Sequence, residues 1–204
     1  MTTAKKIKPL VFLFLAVSIL FTACNNDDGT NLNDGQFGIF TAIDDNTIEM
    51  DGEIDRSTLN DFNRLIENYP NIKTINMKEV PGSLDDETNL QVALKVHELN
   101  ISTHLLDNGL IASGGVDFFL AGTTRTKGEN TMIGVHSWSD GSNDATAFPV
   151  GHEYHQPYIN FYKNVGFSQD DAEAFYYFTI NAAPADDIHY MTVDEIEQYK
   201  ILKP

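Results

Sequence analysis

Apolar and polar positions change their period along this chain, and each change marks an element. Phe37 to Ile43 and Thr47 to Ile54 read as two short strands around a turn at Asp44-Asp45-Asn46. Leu59, Phe62, Leu65 and Ile66 then recur at helical spacing after Ser57-Thr58, and Tyr69-Pro70-Asn71 ends that helix. Ile72 to Met77 alternates again as a strand, and Val80-Pro81-Gly82-Ser83 is a loop. The acids Asp85-Asp86-Glu87 suit the positive end of the next helix, whose apolar face carries Leu90, Ala93, Leu94, Val96 and Leu99. Ile101 to Leu106 predicts a strand, Ser113 opens a short helix with Val116, Phe118, Phe119 and Leu120, and Thr131 to His136 predicts another strand.

The C-terminal part is helical. Tyr158, Ile159, Phe161 and Tyr162 share a helix that ends at Gly166, and Ser168 caps a second helix that reaches about Ala182. Ala183 to Asp187 is a loop, and Thr192-Val193-Asp194-Glu195 begins the last helix as a capping box. Repeated strand–helix–strand units imply a parallel sheet with right-handed crossovers. Sites in such sheets lie beyond the carboxyl ends of the strands. Three segments sit there: Val80 to Leu84, Asn108 to Gly115 and His136 to Gly141. Converging, they would bring glycine amides, a serine and a histidine together.

The N-terminus carries a different pattern. Lys5, Lys6 and Lys8 precede a twelve-residue apolar run from Leu10 to Phe21, which is short for a membrane span and suited to a signal peptide. Phe21-Thr22-Ala23-Cys24 resembles a bacterial lipobox, so Cys24 is expected to be acylated and to become the mature N-terminus. It is the only cysteine, which leaves no thiol for a disulfide, a thiolate nucleophile or a cysteine metal site. The polar run from Asn25 into Gly35 reads as a flexible tether. The expected organisation is therefore a signal peptide over 1–23, a tether over 24–36 and one domain over 37–204. Its place would be the bacterial cell envelope, periplasm-facing or at the cell surface, held by membrane lipid through Cys24.

Charge narrows the partners. The formal charge is −17 and becomes about −20 once the signal lysines are removed. Such a surface repels phosphate backbones and argues against nucleic-acid binding.

Ser113, set among small residues at a helix start, and His136, at the end of an apolar strand, supply a nucleophile and a base for covalent acyl chemistry. Ile111-Ala-Ser-Gly-Gly is not the Gly-x-Ser-x-Gly elbow of α/β-hydrolases, because position 111 is isoleucine. His152-Glu153-Tyr154-His155 invites a zinc reading, but its histidines are three apart where the zincin motif needs four. With only His189 or Asp187 as a further ligand, packing or a substrate-side role is the better expectation. No metal or cofactor is called for. Trp138 and Phe175-Tyr176-Tyr177-Phe178 read as core or interface.

In order along the chain, these motifs resemble the Clp-type serine peptidases of the ClpP/crotonase superfamily, and more closely their envelope relatives. Gly52-Glu53-Ile54 resembles the glycine-bearing first strand, and Ile75-Asn76 with Pro81-Gly82-Ser83 the strand and oxyanion loop. Ala112-Ser113-Gly114-Gly115 resembles the nucleophile turn, Ile133-Gly134-Val135-His136 the strand ending in the base, and Ile188 to Thr192 the closing segment. The resemblance implies an α/β fold of repeated β-β-α units with a parallel sheet and C-terminal helices. It also implies Ser113 as nucleophile, His136 as general base, and Asp187 (or Asp186) as the carboxylate that orients the histidine. The oxyanion hole would come from the N–H groups of Gly114 and of Gly82 or Ser83.

Two departures stand out. Ser83 replaces the family's second loop glycine, and polar Ser137 to Val150 takes the place of its substrate-binding strand. The implied activity is a lipid-anchored serine hydrolase acting on a peptide or another acyl substrate, with a trimer or ring as the implied homo-oligomer. The alternative is a non-catalytic binding or assembly protein that keeps the fold. Coenzyme A chemistry fits less well, since an acidic domain offers little to its phosphates.

Overall fold

The computed structural model describes residues 35–204. The expected signal peptide, Cys24 and most of the expected tether lie outside the described residues. Among the described residues no helix is long and apolar enough to cross a membrane.

A single sheet organises the domain. Strands β1 (Gln36–Phe37), β2 (Phe40–Ala42) and β3 (Thr47–Met50) form an antiparallel ribbon at one edge. Helix α1 (Thr58–Asn68) then crosses to β4 (Thr74–Val80), which lies parallel to β3. Helix α2 (Asp86–Glu98) crosses to β5 (Ser102–Ala112), parallel to β4. Next come α3 (Gly114–Leu120), β6 (Arg125–Lys127) and β7 (Met132–Val135). Helices α4 (Gln156–Asn164) and α5 (Gln169–Ala182), strand β8 (His189–Tyr190) and helix α6 (Val193–Gln198) complete the chain. The strand order is β1-β2-β3-β4-β5-β7-β8, with β6 also beside β5. This is a mixed α/β fold with a largely parallel centre and C-terminal helices, as expected.

Several boundaries differ from the sequence pattern. Phe37 to Ile43 is two short strands folded at Gly38-Ile39, which lets Phe40 bury against Phe62 of α1 with ring centroids 5.5 Å apart. Strand β4 continues past Met77 through Lys78 and Glu79 to Val80, the residue expected to open the loop. Strand β5 likewise continues through Asp107 and takes in Asn108 to Ala112, placed above beyond the strand end. Across a register shift after Met77, Glu79 pairs with Leu110 and Val80 with Ile111, while Asn108 N–H donates to Glu129 O at 2.9 Å. Polar residues enter the strands here because neighbouring backbone, and not side-chain burial, holds them. The length of β5 also lets two strands share its flank: β6 pairs with Thr103 to Leu105, and β7 with Leu110 to Ala112.

The C-terminus is tied back through Arg125, a buried cation with no carboxylate partner among the described residues. Its guanidinium donates to the carbonyls of Ile201 at 2.7 Å, Lys200 at 3.0 Å, Leu120 at 3.3 Å and Gly122 at 3.4 Å. Its Cζ lies over the Phe167 ring, 5.4 Å from the ring centre. Backbone carbonyls supply the solvation that water would otherwise give, which makes the charge tolerable inside.

Candidate active site

The chain turns sharply where β5 meets α3, and Ser113 is the turning residue. Its φ of 51° and ψ of −129° lie in a region that residues with a side chain avoid. Such a conformation costs about 1–3 kcal/mol and persists only where its surroundings over-determine it. Those surroundings are visible. Ser113 N–H donates to Gly134 O of β7 at 3.0 Å, and Val116 N–H closes the turn on Ser113 O at 2.8 Å. Gly115 lies so close to β4 that an added Cβ would overlap Val80 O. Buried Asn89 of α2 donates to Gly114 O at 2.8 Å.

The loop after β4 meets this turn. Gly82 is held by its carbonyl, which accepts from Ile54 N–H at 3.0 Å. A Cβ on Gly82 would stand 3.3 Å from Ser113 Cβ and 3.7 Å from its Oγ, so a side chain here would occupy the space in front of the serine. Ser83 hydrogen-bonds through its hydroxyl to Asp86 and packs on Gly114. Among the described residues, no hydrogen bond engages the N–H of Gly82, Ser83 or Gly114.

His136 follows the last residue of β7. It lines, with Ser113 and Gly114, a cavity of about 50 Å³, room for a few water molecules. No hydrogen bond joins the two side chains. The Nδ1 atom of His136 is buried and has no hydrogen-bond partner among the described residues. The loop expected to bring a carboxylate to it does pass nearby, since Ser137 N–H donates to Ala183 O at 2.9 Å. Asp186 and Asp187 are nevertheless exposed, and Asp187 Oδ1 accepts from Ile188 N–H at 2.8 Å. The structure thus gathers Ser113, His136, Gly82, Ser83 and Gly114, and leaves Asp187 turned to its own backbone.

The far wall of the cavity carries groups the sequence pattern did not single out. Tyr162 donates to Asp117 at 2.6 Å and Tyr158 to Asp86 at 2.5 Å. Burial pushes the Asp117 carboxyl up to about 7; the Tyr162 hydrogen bond opposes that rise, and the nearby Asp86 charge adds to it. Burial likewise raises Tyr158, Tyr162 and Tyr176, so all three stay protonated donors. Asp117 had one signal in the sequence, an acid inside the apolar run Val116 to Leu120. The tyrosines sit 45 and 72 residues from their carboxylates, and nothing local announces such pairs.

His155 is buried, with Nδ1 2.7 Å from the Tyr176 hydroxyl, which in turn accepts from Trp138 Nε1 at 2.9 Å. That places it in packing between α4 and α5. Among the described residues no group of three or more His, Cys, Asp and Glu is arranged to hold a metal ion.

Comparison with solved structures places this architecture. The catalytic domain of the ClpP protease from Plasmodium falciparum superposes with a TM-score of 0.50 at 18% identity, over 76% of this chain and 80% of that one. The fold is ClpP-like. ClpP1 from Listeria monocytogenes gives 0.49 at 17% identity, covering 76% and 88%. The 1510-N membrane protease specific for a stomatin homolog, from Pyrococcus horikoshii, gives 0.48 at 16%, covering 76% and 69%. No family model and no curated protein matches the sequence. The ClpP-like fold puts the turn after β5 and the end of β7 at the carboxyl ends of parallel strands, where chemistry gathers in such sheets.

Proposed function

We propose that the protein is a serine hydrolase with peptidase-like chemistry, anchored at the bacterial cell envelope through acylated Cys24. The observation that carries the catalytic part is the Ser113 turn. A serine held at positive φ, facing a cavity shared with a histidine and fronted by unengaged glycine amides, has little structural reason to be strained. In the reaction, Ser113 Oγ attacks the acyl carbonyl as its proton passes to His136. The N–H groups of Gly114 and of Gly82 or Ser83 receive the oxyanion. Collapse expels an amine or alcohol that takes the proton from His136, leaving an ester on Ser113. Water, giving its proton to His136, then attacks the ester; the bond to Ser113 Oγ breaks, His136 returns the proton to Oγ, and the acid leaves. Asp187 is the third member of this proposal. Its carboxylate would leave the Ile188 amide and turn to His136 Nδ1 when substrate binds or when subunits of a trimer or ring assemble.

A fluorophosphonate probe tests the nucleophile. Wild type should form a covalent adduct and Ser113→Ala none; equal, weak labelling of both would remove the catalytic reading. The anchor is tested separately, by feeding cells an alkyne fatty acid. Label and membrane association should be lost in Cys24→Ser, and their retention would refute lipidation at that residue.

One observation favours a second reading. A buried His136 Nδ1 without a carboxylate suits a domain that has kept the fold and lost turnover, binding a partner in its place. That reading predicts no adduct on Ser113 and a partner crosslinked in intact cells.

A further inference from the structure

The strongest feature outside the nucleophile turn is a groove between α2 and α4. It measures about 850 Å³ and adjoins the Ser113 cavity, with Asp86, Trp138 and Tyr158 lining both. Its surface is mainly apolar, supplied by Leu90 and Leu94 of α2 and by Trp138, Tyr154 and Phe161 opposite. Tyr154 is half exposed, at 50%, an uncovered aromatic ring at a site water can reach.

The rim is of one sign. Asp86, Glu87, Asp140 and Glu153 line the groove, and no lysine or arginine does. None of these four acids forms an ion pair among the described residues, whereas Asp85, one position before the first of them, is paired with Arg56 at 2.9 Å. Asp86 and Glu87 are held by neutral donors, Ser83 with Tyr158 and Gln91 respectively. Asp140 accepts from the amides of Ser142 and Asn143, which keep its carboxyl below the usual range and so ionised. An apolar floor ringed by uncompensated carboxylates complements a chain that alternates apolar side chains with cations.

Resting on the hydrolase reading above, we infer that the α2–α4 groove is the substrate-binding groove, and that it selects peptide segments combining aliphatic or aromatic side chains with lysine or arginine. The apolar side chains lie on Leu90, Leu94 and Tyr154, and the cations reach the Asp140, Glu153 and Glu87 carboxylates. Acidic peptides are rejected by the same rim. The overall charge of −17 strengthens that discrimination at a distance and makes it sensitive to salt.

Fluorescence polarisation on the full chain carrying Ser113→Ala separates binding from turnover. The probes are a labelled peptide alternating leucine and lysine and its counterpart with glutamate in place of lysine. The lysine peptide should bind at least ~10-fold more tightly at low salt, and the difference should shrink between about 50 mM and about 500 mM salt. Leu94→Glu should abolish the binding. Asp140→Asn with Glu153→Gln, two exposed changes that leave the apolar floor intact, should weaken it about 3-fold to 10-fold. Equal affinity for the two peptides, or binding untouched by the rim changes, would overturn the inference. A Ser113 adduct in wild type without lysine-peptide preference would leave the hydrolase reading standing and remove the groove. Preference without an adduct would do the reverse.

Discussion

The two sides of the Ser113 cavity are built to different standards. On the nucleophile side, β4, β5, β7 and α2 all press on one turn, and the strained Ser113 backbone is held by two hydrogen bonds and a glycine without space for a methyl group. On the base side, His136 stands at the end of β7 with a buried ring nitrogen unpartnered among the described residues, followed by chain that is irregular but for single helical turns at Ala145–Ala147 and Glu153–His155. The difference teaches where the fold spends its rigidity. In the proposed reaction the serine and its amides would be in place before substrate arrives, and the histidine would be aligned by a later event.

The largest effect expected from this contrast involves the wall beneath the serine. The Asp117 carboxyl rises from 3.8 to about 7 on folding, so the folded protein holds that proton more tightly than the unfolded chain does. Its neutral state therefore contributes stability that is fully present below about pH 4 and is lost as pH rises to about 7. The span corresponds to on the order of 4 kcal/mol. Urea unfolding at pH 5 and pH 8 should show wild type losing stability at the higher pH, with Asp117→Asn losing much less; parallel curves for the two would contradict the burial of this acid.

Next in size is the turn itself. Gly115→Ala places a methyl group against the Val80 carbonyl, where backbone cannot yield, and should destabilise by about 3 kcal/mol or prevent folding. A loss below about 0.5 kcal/mol in chemical denaturation would contradict the tight contact between Gly115 and the Val80 carbonyl. The smallest stability effect belongs to the base side. Asp187→Asn removes an exposed carboxylate and should change stability by less than about 0.5 kcal/mol. If Asp187 turns to His136, the same change should slow fluorophosphonate labelling at least ~10-fold. Unchanged labelling would transfer the orienting role to Asp186 or to none.

Much of this division was legible before any coordinates. Caps at Ser168 and Thr192 appear as side-chain hydrogen bonds to the amides of Asp171 and Glu195, because local spacing alone determines them, whereas Asp85, read as a first-turn acid, is itself the cap of α2. The serine turn and the histidine strand end were legible for the same reason, as short motifs bounded by glycine. Strands β6 and β8 were not, since two or three residues become a strand only when a neighbour pairs with them. The continuation of β5 through Asp107-Asn108-Gly109 was hidden likewise: its polar positions are held by distant chain, Asn108 N–H donating to Glu129 O and Asp107 accepting from Glu129 N–H. The Asp117–Tyr162 and Asp86–Tyr158 pairs join distant helices, so neither periodicity nor motif order could reveal them. The sequence motifs also placed a carboxylate beside His136 by order alone, and order does not determine where an exposed aspartate points.

The central claim is that His136 activates Ser113 across the cavity they share. The most direct measurement is the rate of fluorophosphonate acylation at Ser113 in wild type and in His136→Ala, with the adduct mapped by peptide mass spectrometry and folding checked by unfolding midpoint. The account predicts acylation at Ser113 in wild type and a rate at least ~100-fold lower in the folded variant. Equal rates in the two proteins, or an adduct on another residue, would contradict it.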